Sequence, residues 1–61
     1  MIDTRRWVAE MLDDRRLVWE HDAGRWSVIV DGKRLANDRS LESAIDAAYA
    51  MTRALAALSR R

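Results

Sequence analysis

The stretch Arg25-Trp-Ser-Val-Ile-Val-Asp-Gly-Lys-Arg-Leu-Ala36 decides the fold, because apolar residues alternate with polar ones around a central Asp-Gly pair. A two-residue turn with the twist that antiparallel strands favour needs positive φ angles, which Gly adopts freely and Asp adopts in part. Asp31-Gly32 therefore predicts a β-hairpin at the centre of the chain.

A further strand is predicted upstream of this hairpin, in Leu17-Val-Trp-Glu-His21. Asp22-Ala-Gly-Arg25 supplies the turn, and a two-residue or a four-residue loop gives the same register, with Trp19 opposite Val28. The second turn then places Val28 opposite Leu35. The two turns agree on one buried face of the sheet. Its predicted members are Leu17, Trp19, Trp26, Val28, Val30 and Leu35.

Helical patterns flank the three strands. Apolar residues recur at helical spacing after the N-cap residue Asp3 and predict a first helix over residues 4 to about 14. Ser40 is a good N-cap, and it predicts a longer helix that begins at Leu41 and runs without Gly or Pro to about Leu58. We therefore predict a single α+β domain over the whole chain, with α-β-β-β-α order and a three-stranded antiparallel meander packed under the long C-terminal helix.

The long helix has more apolar surface than the predicted sheet can bury. A helix of about 18 residues spans ~27 Å, whereas strands of five or six residues span only ~17–20 Å. The second half of the helix therefore needs another partner, either the first helix through Trp7 and Met11 or a second copy of the chain. Small residues that permit close helix approach lie beside the apolar arc, at Ala47, Ala50, Ala54 and Ala57.

Length and composition restrict the class of protein. A chain of 61 residues buries only about 60% of the surface that its unfolded form exposes. Without cysteine and with one histidine, it can form neither a disulfide nor a zinc site. Packing or self-association must supply the stability, so we expect a homodimer. Neither a membrane-spanning run nor the pattern of a signal peptide occurs, and we expect a cytoplasmic protein without a membrane partner.

Motifs that carry catalytic chemistry are missing from the sequence. It contains no Gly-rich phosphate loop, nucleophile elbow, His-x-x-x-His pair or calcium loop. We therefore expect no enzymatic activity, no cofactor and no metal ion. His21 is interpreted as an edge residue beside Trp26, and Trp19 and Trp26 as core residues. The environment of Trp7 stays open.

The outward face of the sheet is the predicted interaction surface. Val18 and Ile29 pair across the strands next to Ala36, with charged side chains around them. An apolar centre with a mixed-charge rim is typical of a protein interface, and many monomers also expose a modest patch of this kind. We predict a non-enzymatic module, a small phage or bacterial accessory or inhibitor protein, that binds another protein. The candidate residues are Arg16, Val18, Glu20, Ile29, Arg34 and Ala36 on the sheet, with Ala47, Ala50, Ala54 and Ala57 on the helix.

Binding of DNA is the alternative, because a three-stranded sheet can enter the major groove. The net charge of +1 gives little bulk attraction to nucleic acid. Glu20 and Asp31 share the outward face, and their carboxylates would repel the phosphates of DNA. The candidate nucleic-acid-binding residues are Arg16, Arg34, Arg25 and Lys33.

Two segments carry a family resemblance. The first is Gly24-Arg25-Trp26, which is followed by an alternating strand and a turn. The second is the helical stretch Ser40-Leu-Glu-Ser-Ala-Ile-Asp-Ala-Ala-Tyr49. Together they give this chain a pattern that resembles the DNA-binding domains of plant APETALA-type regulators and of phage integrase arm-binding regions. It is equally similar to small bacterial proteins of unknown function with Trp-x-Val, a Gly-Lys-Arg turn and a Glu-x-Ala-Ile-x-x-Ala helix. The resemblance covers about residues 16–50 and implies a sheet-and-helix fold in which Trp26 is structural.

The positions that read DNA in the resembling domains match this chain only in part. Arg16 fits their pattern of outward basic residues. Val18, Ile29 and Asp31 occupy outward positions where those domains have polar or basic readers. The resemblance therefore implies the fold more directly than it implies DNA binding.

Overall fold

The computed structural model describes residues 4–59 and has the predicted α-β-β-β-α order. The three strands form one antiparallel sheet in the order β1-β2-β3. The α+β fold is therefore confirmed, while the predicted N-cap Asp3 lies outside the described residues. The elements are α1 (Thr4–Asp13), β1 (Leu17–Asp22), β2 (Arg25–Val30), β3 (Lys33–Asp38) and α2 (Leu41–Ser59).

Both hairpin turns are two-residue loops with positive φ at each central residue. The φ angles are 52° and 74° at Ala23 and Gly24, and 53° and 81° at Asp31 and Gly32. This is the backbone of type I′ turns, whose twist matches that of the flanking strands. The register between β1 and β2 is the predicted one, and Trp19 lies opposite Val28.

β3 departs from the predicted register through a β-bulge. Val28 pairs with Ala36, and Leu35 is the extra residue. A bulge shifts the alternation of side chains by one residue, so Leu35 and Ala36 both contact the core. The prediction that Val28 lies opposite Leu35 is wrong. The placement of Ala36 on the outward interaction surface is also wrong, because this residue is buried between sheet and helix.

The core lies between the sheet and the helices. α2 packs on β2 and β3, whereas α1 packs on β1 and on α2. Trp19 on β1 is therefore covered only in part and is 39% exposed, which contradicts its assignment to the core, and Trp26 is half-buried. The buried apolar residues are Met11, Leu17, Val28, Val30, Ala36, Ala44 and Ala48.

α1 ends without glycine or proline. The N–H of Arg16 donates to the carbonyl of Met11 at 2.9 Å, and the N–H of Arg15 donates to that of Leu12 at 3.0 Å. These two bonds form a Schellman motif in which Arg15 adopts a φ of 58°. The reversal starts β1 at Leu17 and positions Arg16 at the end of the sheet.

α2 begins at Leu41 as predicted, with Ser40 as its N-cap. The Ser40 hydroxyl accepts from the N–H of Ser43 at 3.3 Å, and the Ser40 carbonyl accepts from Ala44 at 2.9 Å. The helix continues to Ser59, one residue beyond the predicted end.

α1 covers only the N-terminal half of α2. The Trp7 ring meets the Tyr49 ring edge-on, with centroids 5.1 Å apart and an interplanar angle of 61°. Trp7 is half-buried against the core, which resolves its environment. Beyond Tyr49, the large apolar side chains Met51, Leu55 and Leu58 are exposed. Of the two predicted partners for the second half of α2, the first helix is therefore excluded.

Candidate interaction surfaces

The outward sheet face has an apolar row with one cation. Val18 lies opposite Ile29, and Ile29 lies opposite Arg34, so the three side chains cross all three strands. Val18 is 53% exposed, and Ile29 is half-buried. The bulge removes Ala36 from this row, which leaves a smaller apolar patch than predicted.

Arg16 and Asp31 form a bidentate ion pair at one end of this face. Arg16 donates from Nε to Asp31 Oδ1 at 2.8 Å and from Nη2 to Oδ2 at 2.7 Å. This hydrogen bonding holds the pKa of Asp31 below its ordinary value and raises the pKa of Arg16. The guanidinium of Arg16 is therefore already matched to a carboxylate.

The ion pair makes a testable prediction about pH. Because the folded-state pKa of Asp31 is lowered, the pair stabilises the fold above the unfolded-state pKa, and this contribution is lost as the pH falls through the folded-state pKa. In an NMR titration of the Asp31 carboxyl carbon, we expect a midpoint below the ordinary value of about 3.9. Arg16→Gln should return the midpoint to that range, whereas the control Arg34→Gln should not move it. An unchanged midpoint in Arg16→Gln would contradict the ion pair.

A second polar network lies at the other end of the face. Asn37 donates from Nδ2 to the hydroxyl of Ser27 at 2.7 Å, and Arg25 donates from Nε to Asn37 Oδ1 and from Nη2 to the Asn37 carbonyl. Ser27 is only 7% exposed although it lies on the outward face. Sequence reasoning missed this network because Asn37 comes opposite Ser27 only through the bulge.

The four candidate nucleic-acid-binding residues do not form one patch. Arg16 is bound to Asp31, and Arg25 is bound to Asn37. Lys33 pairs with Val30, so its side chain lies on the helix side of the sheet.

His21 lies beside Trp26 as predicted. Their rings stack with centroids 4.1 Å apart and an interplanar angle of 5°. Both residues lie near the open end of the helix side of the sheet, next to the first turn. The contact gives His21 a packing role, and no group of three or more His, Cys, Asp or Glu residues within residues 4–59 could hold a metal ion.

One side of α2 is exposed and carries no charge. Ala47, Met51, Ala54 and Leu58 recur at the spacing of a single helical stripe, and Leu58 is 62% exposed. This stripe lies on the side of α2 opposite Tyr49 and therefore away from α1. Ala50 and Ala57, also exposed, widen the stripe. We call these six residues the α2 stripe.

The charges of α2 lie along a different strip. Glu42 and Asp46 occupy the N-terminal half of the helix, and Arg53 lies in the C-terminal half with its guanidinium 6.0 Å from the centre of the Tyr49 ring. The sequence continues after the helix with Arg60 and Arg61. α2 therefore has an acidic first half and a basic second half.

An open groove of about 770 Å³ lies between α1 and α2. Its walls are mainly apolar, with Glu42 and Asp46 along one rim and Arg5 on the other. Sequence reasoning did not predict it, although the exposed Leu12 marks its position. The apolar side chains that line it are Val8, Ala9, Leu12, Leu41 and Ile45.

The chain matches no described protein family, no curated protein and no solved structure. The resemblance to APETALA-type and integrase arm-binding domains therefore stays a prediction. Within residues 4–59, neither helix combines the length and the apolar character that crossing a membrane requires. The surfaces themselves are the basis for a functional proposal.

Proposed function

We propose that this chain is a non-enzymatic protein-interaction module that forms a homodimer through the α2 stripe. The observation that carries the proposal is the combination of large exposed apolar side chains, at Met51 and Leu58, with the absence of charge along this side of the described helix. Such a surface gains free energy when it leaves water, at about 25 cal/mol per Å² of apolar area. A small accessory or inhibitor protein would act on another protein through the same burial of apolar surface.

The stripe has the geometry of a helix-helix contact. Ala47, Ala50 and Ala54 are small, so a second helix can approach closely, and Met51 and Leu58 can fill the spaces beside them. α1 lies on the other side of α2 and leaves this approach open. A 61-residue domain with a small core also gains stability by burying this surface.

The charges of α2 favour a second copy in antiparallel orientation. Glu42 and Asp46 of one helix would then run beside the half of the other helix that carries Arg53. In a parallel two-fold pair the two charged strips would lie on opposite sides of the helix pair and could not attract each other. Antiparallel helices also align their dipoles favourably. A two-fold axis across the α2 stripe satisfies all of these conditions.

Ala54→Glu tests the dimer. The substitution places two carboxylates at the two-fold interface, where like charges cost several kcal/mol, so we expect the dimer dissociation constant to rise about 100-fold or more. Sedimentation velocity over a concentration series measures this constant. Glutamate is a good helix former, so α2 should keep its helicity in circular dichroism.

Ala56→Glu is the matched control. Ala56 is also exposed and lies two residues further along α2, so its side chain points away from the stripe. We expect this variant to keep the wild-type dissociation constant. A wild-type protein that stays monomeric at high concentration, or equal effects of the two substitutions, would refute the proposal.

DNA binding through Arg16, Arg34, Arg25 and Lys33 is the alternative, with less support. Two of these arginines already hydrogen-bond to neighbouring side chains, and Glu20 shares their face. Titration with mixed-sequence duplex DNA at low salt distinguishes the two functions. Binding that weakens steeply with salt and with Arg34→Ala would favour the DNA-binding function.

A further inference from the structure

β1 has an open edge. Within residues 4–59, only β2 pairs with this strand. The N–H of Asp31 donates to the carbonyl of Arg16 at 2.8 Å, so the even-numbered residues along β1 are those that bond to β2. The N–H and C=O groups of Leu17, Trp19 and His21 therefore point away from β2, towards the open side.

The β1 edge lacks most of the features that block strand addition, and its charged side chains are the two carboxylates Glu20 and Asp22. Its six residues contain no proline and no lysine, and its pairing with β2 is regular. β3, at the other edge of the sheet, has a bulge and the cations Lys33 and Arg34. Bulges and edge cations are what proteins use to prevent pairing with other strands. Every β1 residue from Val18 to Asp22 is exposed, so the open edge is β1.

The side chains of β1 define the chemistry of a matching strand. Glu20 and Asp22 project outward and make no ion pair within residues 4–59. The neighbouring Val18 and Trp19 are large exposed apolar side chains. A complementary antiparallel strand has basic residues opposite the two carboxylates and apolar residues opposite Val18 and Trp19.

We propose that β1 binds an extended basic-apolar segment of another protein as an antiparallel fourth strand of the sheet. Backbone hydrogen bonds to Trp19 and its odd-numbered neighbours provide affinity, and Glu20 and Asp22 select basic residues. A second copy of β1 fits this edge poorly. The basic residue that a second copy could place opposite the carboxylates of the outward face is Arg16, and its guanidinium already forms an ion pair with Asp31.

The proposal is independent of the α2 dimer. α2 packs on β2 and β3, and the α2 stripe lies on the side of the helix away from α1. Both surfaces can therefore be occupied at once. The peptide experiment below is repeated in Ala54→Glu, so that a failure of the dimer and a failure of the β1 site give different results.

The probe is the acetylated and amidated peptide Arg-Thr-Arg-Ile-Val-Thr. In antiparallel register its arginines lie opposite Asp22 and Glu20, its isoleucine opposite Trp19 and its valine opposite Val18. Hydrogen exchange by NMR reports on the amides of β1. We expect the exchange of the Trp19 amide to slow about tenfold or more at saturating peptide, because this N–H acquires an acceptor.

Two N-methylated peptides provide the matched control. The isoleucine N–H points at the Trp19 carbonyl, whereas the valine N–H points away from β1. Methylation at isoleucine should weaken binding about tenfold or more, and methylation at valine should leave it unchanged. A peptide with glutamate in place of both arginines should not bind.

Three results would overturn the proposal. The first is no slowing of exchange at Trp19 with the basic peptide at millimolar concentration. The second is equal binding of the two N-methylated peptides. The third is exchange at Trp19 that slows with protein concentration in the absence of peptide, which would identify the β1 edge as a contact between copies of the chain.

Discussion

Replacing Leu17 by alanine is expected to lower the free energy of unfolding by about 2–5 kcal/mol. Leu17 is 1% exposed and is one of the two largest fully buried side chains in the part of the chain that the structure describes. Truncation leaves a cavity between the sheet and the helices. A domain of 61 residues has a total stability of roughly 3–9 kcal/mol at typical values per residue, so this one change removes much of it.

Val18→Ala is the matched control for Leu17→Ala. Val18 is the next residue in β1, but it lies on the outward face and is 53% exposed. We expect this substitution to cost less than about 1 kcal/mol. Urea unfolding followed by tryptophan fluorescence measures both variants. Protein concentration must be held constant, because dimerisation adds to apparent stability. Equal losses in the two variants would mean that the buried face of β1 is wrongly assigned.

Replacing Gly32 by valine is expected to destabilise the fold by about 1–3 kcal/mol. Gly32 has a φ of 81°, which a β-branched residue adopts only under strain. Apart from Gly32 and the two residues adjacent to it, no heavy atom of the described structure lies within 4 Å of the position that a Cβ would occupy. The cost therefore comes from the backbone conformation and not from a steric clash with the rest of the protein.

A D-amino acid separates these two causes. The chain is short enough for chemical synthesis, and D-alanine at position 32 prefers positive φ while it adds a Cβ. We expect Gly32→D-Ala to keep the wild-type melting temperature and Gly32→Val to lower it. Equal melting temperatures for the two variants would contradict the positive-φ turn.

The hairpins and helices are predictable from sequence because local chemistry specifies them. Asp31-Gly32 suits a type I′ turn in isolation, and the alternation around it sets which residues face inward. Ser40 caps α2 through its own side chain. The C-terminal end of α1 is harder to predict from sequence, because Arg15 adopts the left-handed conformation that glycine usually adopts at a helix end.

The candidate surfaces depend more strongly on tertiary contacts. Val18 and Ile29 lie on the outward face as alternation predicts, but Ala36 does not, because the bulge shifts β3 by one residue. No residue near Leu35 signals this bulge. The outward polar network through Asn37 was missed for the same reason, while the pairing of Arg16 with Asp31 follows from the register that the turns specify.

The sequence by itself determined the order of elements, the two turns and the pairing of β1 with β2, because each depends on residues close together in the chain. Only the tertiary structure decided which surfaces are covered. The excess length of α2 is readable from sequence, but the direction in which α1 packs is not, since small differences in burial across the whole domain determine it. That packing leaves the second half of α2 and the edge of β1 exposed, and both proposed binding surfaces follow from it.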